Sequence, residues 1–214
     1  MCVFMITMII FDFDGTIADT FSLLVACYNR VCLGFGATAM TEKEIPKLRR
    51  KKGQEVMKQL GISWFKLPFL VRKVYSELSK EIENARPIPG IKKTILQLKQ
   101  QGFCLGILTS NKRENVERFL KKNGLDCFDF IHAGKKLFGK QYALKQVLLQ
   151  RRLKAKDVVY VGDETRDIEA AKKARVRVIA VSWGYNALGA LRKEKPDFLI
   201  SKPEELIKLL ENVS

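Results

Sequence analysis

Short apolar-rich runs alternate with helical patterns along most of the 214 residues. Residues 8–11, 103–108, 128–132, 158–161 and 178–181 are the candidate strands. Runs of this kind suit parallel strands covered on both faces, where no solvent side demands polar alternation. Between them, Ile91, Ile95 and Leu98 recur at helical spacing, as do Val116, Phe119 and Leu120. A last helix is expected to start at Pro203, with Leu206, Leu209 and Leu210 inward. Strand–helix alternation predicts an α/β fold built on a doubly wound, Rossmann-like parallel sheet.

One interval breaks the rhythm. Between Thr16 and Pro87 lie about 70 residues with helical patterns and no convincing strand, where a crossover needs only about a dozen. The excess predicts an inserted all-helical cap domain at 17–86, leaving 1–16 and 87–214 as the α/β core. The stiff segment Arg86-Pro87-Ile88-Pro89-Gly90 marks its return. Because the insertion departs at the end of the first strand, it is expected to sit as a lid over the sheet edge where open α/β folds bind ligands. Phe65, Phe69, Val74, Tyr75 and Leu78 are its expected core.

Composition changes the picture in three ways. Thirty-nine basic against 23 acidic residues give +16, which favours anionic partners: phosphorylated small molecules, nucleic acid or acidic surfaces. Five cysteines without a CxxC pair, and a single histidine, argue against a disulfide framework or a zinc site and suit a reducing cytoplasm. The apolar start, residues 1–11, is shorter than the ~20 residues a membrane span needs and lacks a basic leader region, so a buried strand is expected there and no membrane association.

The chemistry is carried by four segments. Asp12-Phe13-Asp14-Gly15-Thr16 ends the first strand with two carboxylates at i and i+2, on one side of an extended chain, and Gly15 permits a turn. Carboxylates this close repel, and a divalent cation resolves the repulsion. Thr109-Ser110-Asn111 follows the second core strand, where a hydroxyl and free backbone amides make an anion site; Ser110, or Asn111 with Glu114, equally suits a helix cap. Lys140 follows Gly139 at the start of the pattern Tyr142, Val147 and Leu148, with Lys135 and Lys136 as rivals. Gly162-Asp163-Glu164-Thr165-Arg166-Asp167 follows a later strand, with Asp167 in the first turn of the next helix.

In this order, the four segments resemble the haloacid dehalogenase (HAD) superfamily of phosphohydrolases across nearly the whole chain, most closely its phosphoglycolate-phosphatase-like branch. The resemblance implies a HAD-type core with a helical cap and a phosphoric monoester hydrolase using Mg2+. Asp12 would be the nucleophile, forming an aspartyl-phosphate, and Asp14 the acid and then the base. Thr16, Ser110, Asn111 and Lys140 would bind phosphate. The metal would take Asp12, the backbone carbonyl of Asp14, Asp163 and, less directly, Asp167. Arg49 and Lys52, in the densest basic run, would meet the substrate's leaving group. Two departures stand out: Gln141 where the family often has Pro, and Arg175 where it often has Gly. The expected substrate is a small phosphorylated metabolite: phosphoglycolate-like, a sugar phosphate or a nucleotide. The competing readings are a phosphosugar mutase of the same superfamily, and a non-enzymatic basic nucleic-acid-binding protein on a HAD scaffold. The absence of a recognition-helix or aromatic stacking motif disfavours the second.

Overall fold

The computed structural model describes residues 6–134 and 139–211. Six strands, β1 (Met8–Phe11), β4 (Cys104–Thr109), β5 (Phe130–Ala133), β6 (Val158–Gly162), β7 (Arg177–Val181) and β8 (Phe198–Ile200), form one parallel sheet in the order β5-β4-β1-β6-β7-β8. The two-residue strands β2 (Ala18–Asp19) and β3 (Arg86–Pro87) pair antiparallel beside it. Helices α5 (Ile91–Gln100), α6 (Arg113–Asn123), α7 (Lys140–Gln150), α8 (Thr165–Ala174), α9 (Leu188–Lys193) and α10 (Glu205–Glu211) cover its faces. Between β2 and β3 run α1 (Phe21–Val31), α2 (Ile45–Leu48), α3 (Gly53–Gln59) and α4 (Leu67–Glu81).

The apolar runs become strands because both faces are covered. Ile9 and Phe11 of β1 pack with Ile91, Ile95 and Leu98 of α5 and with Phe119 of α6, while Met8 and Ile10 face Leu144 of α7 and Ile168 of α8. A third apolar cluster lies within the helices between β2 and β3, around Tyr28, Leu60, Leu70, Val74 and Leu78.

The structure corrects several sequence expectations. β8 was not anticipated, being only three residues long. The strand expected at 128–132 starts two residues later, because the Asp129 carboxylate accepts the Leu105 amide (2.7 Å) at the point where pairing would otherwise begin. The last helix begins at Glu205, whose side chain accepts the Ser201 and Lys202 amides, and Pro203 stays in the preceding turn. Phe65 and Phe69 are not core: they are 90% and 66% exposed, Phe65 in the turn before α4 and Phe69 off the inward stripe of α4, which is Leu67, Leu70, Val74 and Leu78. Tyr142 likewise faces solvent, and Leu144 takes its place on the inner face of α7.

Arg175 closes α8 in the left-handed region, φ 59°. A side chain there costs about 1–2 kcal/mol, partly offset by the ~0.5–1 kcal/mol that ordering a glycine costs. Arg175→Gly should therefore raise the melting temperature by about 1–3 °C in a calorimetric scan; an unchanged or lower value would remove the strain argument.

Candidate functional site

β1 lies at the centre of the sheet, between β4 and β6, so the chain leaves it in opposite directions on its two sides. Such a switch point opens a crevice at the carboxyl ends of the strands. Asp12 follows β1, Thr109 ends β4, and Gly162 and Asp163 lie at the end of β6. All four acids expected from the sequence are buried there: Asp12, Asp14, Asp163 and Asp167.

Carboxylate oxygens of Asp12, Asp163 and Asp167 lie within 4.8 Å of one another. The Lys140 ammonium, at the first position of α7, donates to Asp12 Oδ2 (2.6 Å) and Asp167 Oδ1 (2.5 Å). Its rivals Lys135 and Lys136 lie outside the described residues. Asp12 Oδ1 accepts the Phe13 amide (2.8 Å). Asp163 is fixed at both oxygens, by the Thr16 hydroxyl (2.7 Å) and the Tyr185 amide (2.6 Å). Asp167 also accepts the Glu164 amide (3.1 Å), so it caps α8 and reaches Lys140 at once. Gly15, at φ 76°, turns the chain beneath Asp163, and a Cβ on Gly184 would overlap the Asp163 side chain.

Asp14 sits apart from this cluster. The Asn111 amide donates to both its oxygens (3.1 Å each). Asn115 holds Asn111 Oδ1 (2.8 Å) and also reaches Ser79 Oγ of α4 (2.8 Å), so a chain of side chains joins the helical insertion to Asp14. Thr16 and Asn111 are thus engaged by carboxylates, and neither Ser110 nor Asn111 is the N-cap of α6, which is Lys112. Half-buried Ser110 meets the Tyr75 hydroxyl of α4 at 3.4 Å.

Arg49 and Lys52 lie where the insertion meets the loop after β7. The Arg49 guanidinium donates to the Tyr185 (3.1 Å) and Gly184 carbonyls, and its own carbonyl accepts the Ala187 amide (2.7 Å). Lys52 pairs with Glu194 (2.7 Å) and Glu169 (3.4 Å). Tyr75, Tyr185 and Asn186 were missed as site neighbours. The only signal for the last two was their place after an apolar strand, beside Trp183-Gly184, and Tyr75 sits within the cap's own hydrophobic pattern.

Electrostatics follow from the crowding. Burial pushes Asp12 up to about 7, with Lys140 opposing and Asp167 reinforcing the shift. Burial raises Asp14 to about 6 against the hydrogen bonds from Thr20 and Asn111. Burial, then Glu164 and Asp12, hold Asp163 well above the usual range. Burial disfavours the Lys140 charge, yet Asp12 and Asp167 outweigh it and keep the ammonium protonated. Four buried carboxylates therefore face one buried ammonium. An all-oxygen, over-charged donor set of this kind fits a hard divalent cation such as Mg2+, with Asp12, Asp163 and Asp167 as the carboxylates that would hold it.

The pattern of the haloacid dehalogenase-like hydrolases matches residues 9–181. The chain belongs to that family. A phosphoglycolate phosphatase of Synechococcus elongatus is 35% identical over 201 residues, 94% of this chain and 95% of its own. A pyrophosphatase, PpaX, of Bacillus mycoides is 24% identical over 222 residues, 98% and 99% of the two chains. A solved haloacid dehalogenase-like hydrolase from Streptococcus pneumoniae, 22% identical, shares the fold with a TM-score of 0.79 over 95% of this chain and 98% of its own. Within the family, the match is to the phosphoglycolate-phosphatase-like branch.

Without metal, the folded protein binds the Asp12 and Asp14 protons more tightly than the unfolded chain does. The stability they contribute is full below about pH 4 and is lost as pH rises through about 6 and about 7. Metal-free protein should therefore lose thermal stability between about pH 5 and 8 more steeply than Asp12→Asn does, and Mg2+ should restore more at the upper end. Equal slopes for the two proteins would contradict this reading of Asp12.

Proposed function

We propose that the chain is a Mg2+-dependent phosphatase that hydrolyses a small phosphomonoester through an aspartyl-phosphate on Asp12. The observation that carries this reading is the convergence of Asp12, Lys140, Asp163 and Asp167 at one sheet edge, with Asp14 held separately by Asn111. Bound Mg2+ would neutralise the carboxylates and draw charge from the phosphoryl oxygens.

Asp12 attacks phosphorus, and the bond to the leaving oxygen breaks as the Asp12–phosphorus bond forms. Asp14, whose pKa near 6 keeps a useful protonated fraction, gives its proton to the leaving oxygen. The resulting Asp14 carboxylate takes a proton from water, which attacks the acyl phosphate and regenerates Asp12. Lys140 balances charge on Asp12 and the phosphoryl group, and Ser110 contacts a phosphoryl oxygen. Thr16 and Asn111 contribute by holding Asp163 and Asp14. Residues 17–86 act as a lid, and Arg49 and Lys52 fasten it to the core at the loop after β7 and at Glu169 and Glu194.

The setting is cytoplasmic in this reading. The four described cysteines, Cys27, Cys32, Cys104 and Cys127, are all free thiols, and no helix among the described residues is long and apolar enough to cross a membrane.

Wild type should release phosphate from an aryl phosphate only with Mg2+, and Asp12→Asn should reduce the rate by about 10³-fold or more, as expected when a nucleophile is removed. Equal rates in the two proteins would overturn the mechanism.

A further inference from the structure

A cavity of about 490 Å³ lies between the helical insertion and the core. Its outer walls are apolar and come from the insertion: Leu24, Met57, Leu60, Leu70, Val71 and Val74. Its inner wall is Thr165, Arg166, Tyr75 and Tyr185. That inner wall touches the catalytic edge directly. The Tyr75 hydroxyl meets Ser110, the Tyr185 amide donates to Asp163, and the Tyr185 hydroxyl meets Thr20 (2.9 Å).

The charges on its lining cancel. Arg166 pairs with Glu164, and Lys52 pairs with Glu169 and with Glu194. Lys52, Glu164, Arg166 and Glu169 all line the cavity, two cations against two carboxylates. A leaving group bearing its own carboxylate or phosphate would find no net positive field here and would lose hydration against apolar walls. A two-carbon acid would also leave most of the space unfilled.

We propose that this cavity is a leaving-group subsite for a phosphomonoester whose leaving group is uncharged and predominantly apolar. The inference rests on the phosphatase reading above and narrows its substrate class. It separates this chain from the anionic leaving groups implied by the names of the phosphoglycolate phosphatase and pyrophosphatase relatives. Tyr75 and Tyr185 form the boundary: the ester oxygen lies on the Asp14 side, and the apolar body extends toward Leu70 and Val74. The Tyr75–Ser110 contact is where the lining of the cavity meets the catalytic edge.

The test uses the full chain with Mg2+ and two probe series. The first is a set of n-alkylphosphonates, which bind without being hydrolysed, each compared by calorimetry with the phosphonate of equal length ending in a carboxylate. The second is the matching n-alkyl phosphates, followed by phosphate release. Affinity should rise about fourfold per methylene buried until the cavity is filled, each carboxylate counterpart should bind more weakly, and Val71→Phe should stop the rise at a shorter chain. Affinity that is flat or falling with length, tighter binding of the carboxylate series, or no binding of either overturns the subsite. Phosphate release with a flat binding series removes the subsite and keeps the phosphatase. A rising binding series without phosphate release from any ester removes the phosphatase and keeps the cavity as an apolar phosphonate site.

Discussion

Four carboxylates packed out of water against a single ammonium set the terms for everything else in this molecule. An ionised carboxylate without a partner is costly to bury, so each one is held. Lys140 spans Asp12 and Asp167, Thr16 and Tyr185 hold Asp163, and Asn111 holds Asp14. Even so, the excess negative charge remains. Burial first, and neighbouring negative charge after it, raises the proton affinities of Asp12, Asp14 and Asp163, and a divalent cation would relieve the excess charge.

The fold exists around that edge. A central strand with neighbours on both sides delivers Asp12 between Thr109 and Asp163. Close approach is possible because Gly15 and Gly184 carry no Cβ beside Asp163. The helical insertion enters and leaves through the paired short strands β2 and β3, and among its several polar contacts with the core two reach the buried carboxylates from different sides. One runs Ser79–Asn115–Asn111–Asp14, and the other runs from Arg49 to the loop that holds Asp163. Movement of the insertion would therefore be felt at both Asp14 and Asp163.

Much of this was legible in the sequence, for identifiable reasons. Four of the five expected strands, β1, β4, β6 and β7, are interior to the sheet, so burial on two faces left a clear imprint; β5, at one edge, is half-buried but still apolar-rich, and β8, at the other edge, is too short to leave one. Asp12, Asp14, Lys140 and Asp163 were legible because strand ends and helix starts are local features. The contacts of Arg49, Tyr75 and Tyr185 were not, since they join residues 22 or more positions apart and no periodicity encodes them. Aromatic residues also misled: Phe65 lies in the turn before α4, and Phe69 is apolar but out of phase with the buried stripe of α4.

The central claim is that Asp12 carries the phosphoryl group. The direct measurement is rapid acid quench of Asp14→Asn with Mg2+ and a radiolabelled aryl phosphate, whose leaving group departs without needing the Asp14 proton, followed by peptide mapping. Since loss of Asp14 removes the base for the second step, label should accumulate on the peptide containing Asp12 and be released by hydroxylamine, as an acyl phosphate is. Continued turnover with no label on that peptide would contradict the account.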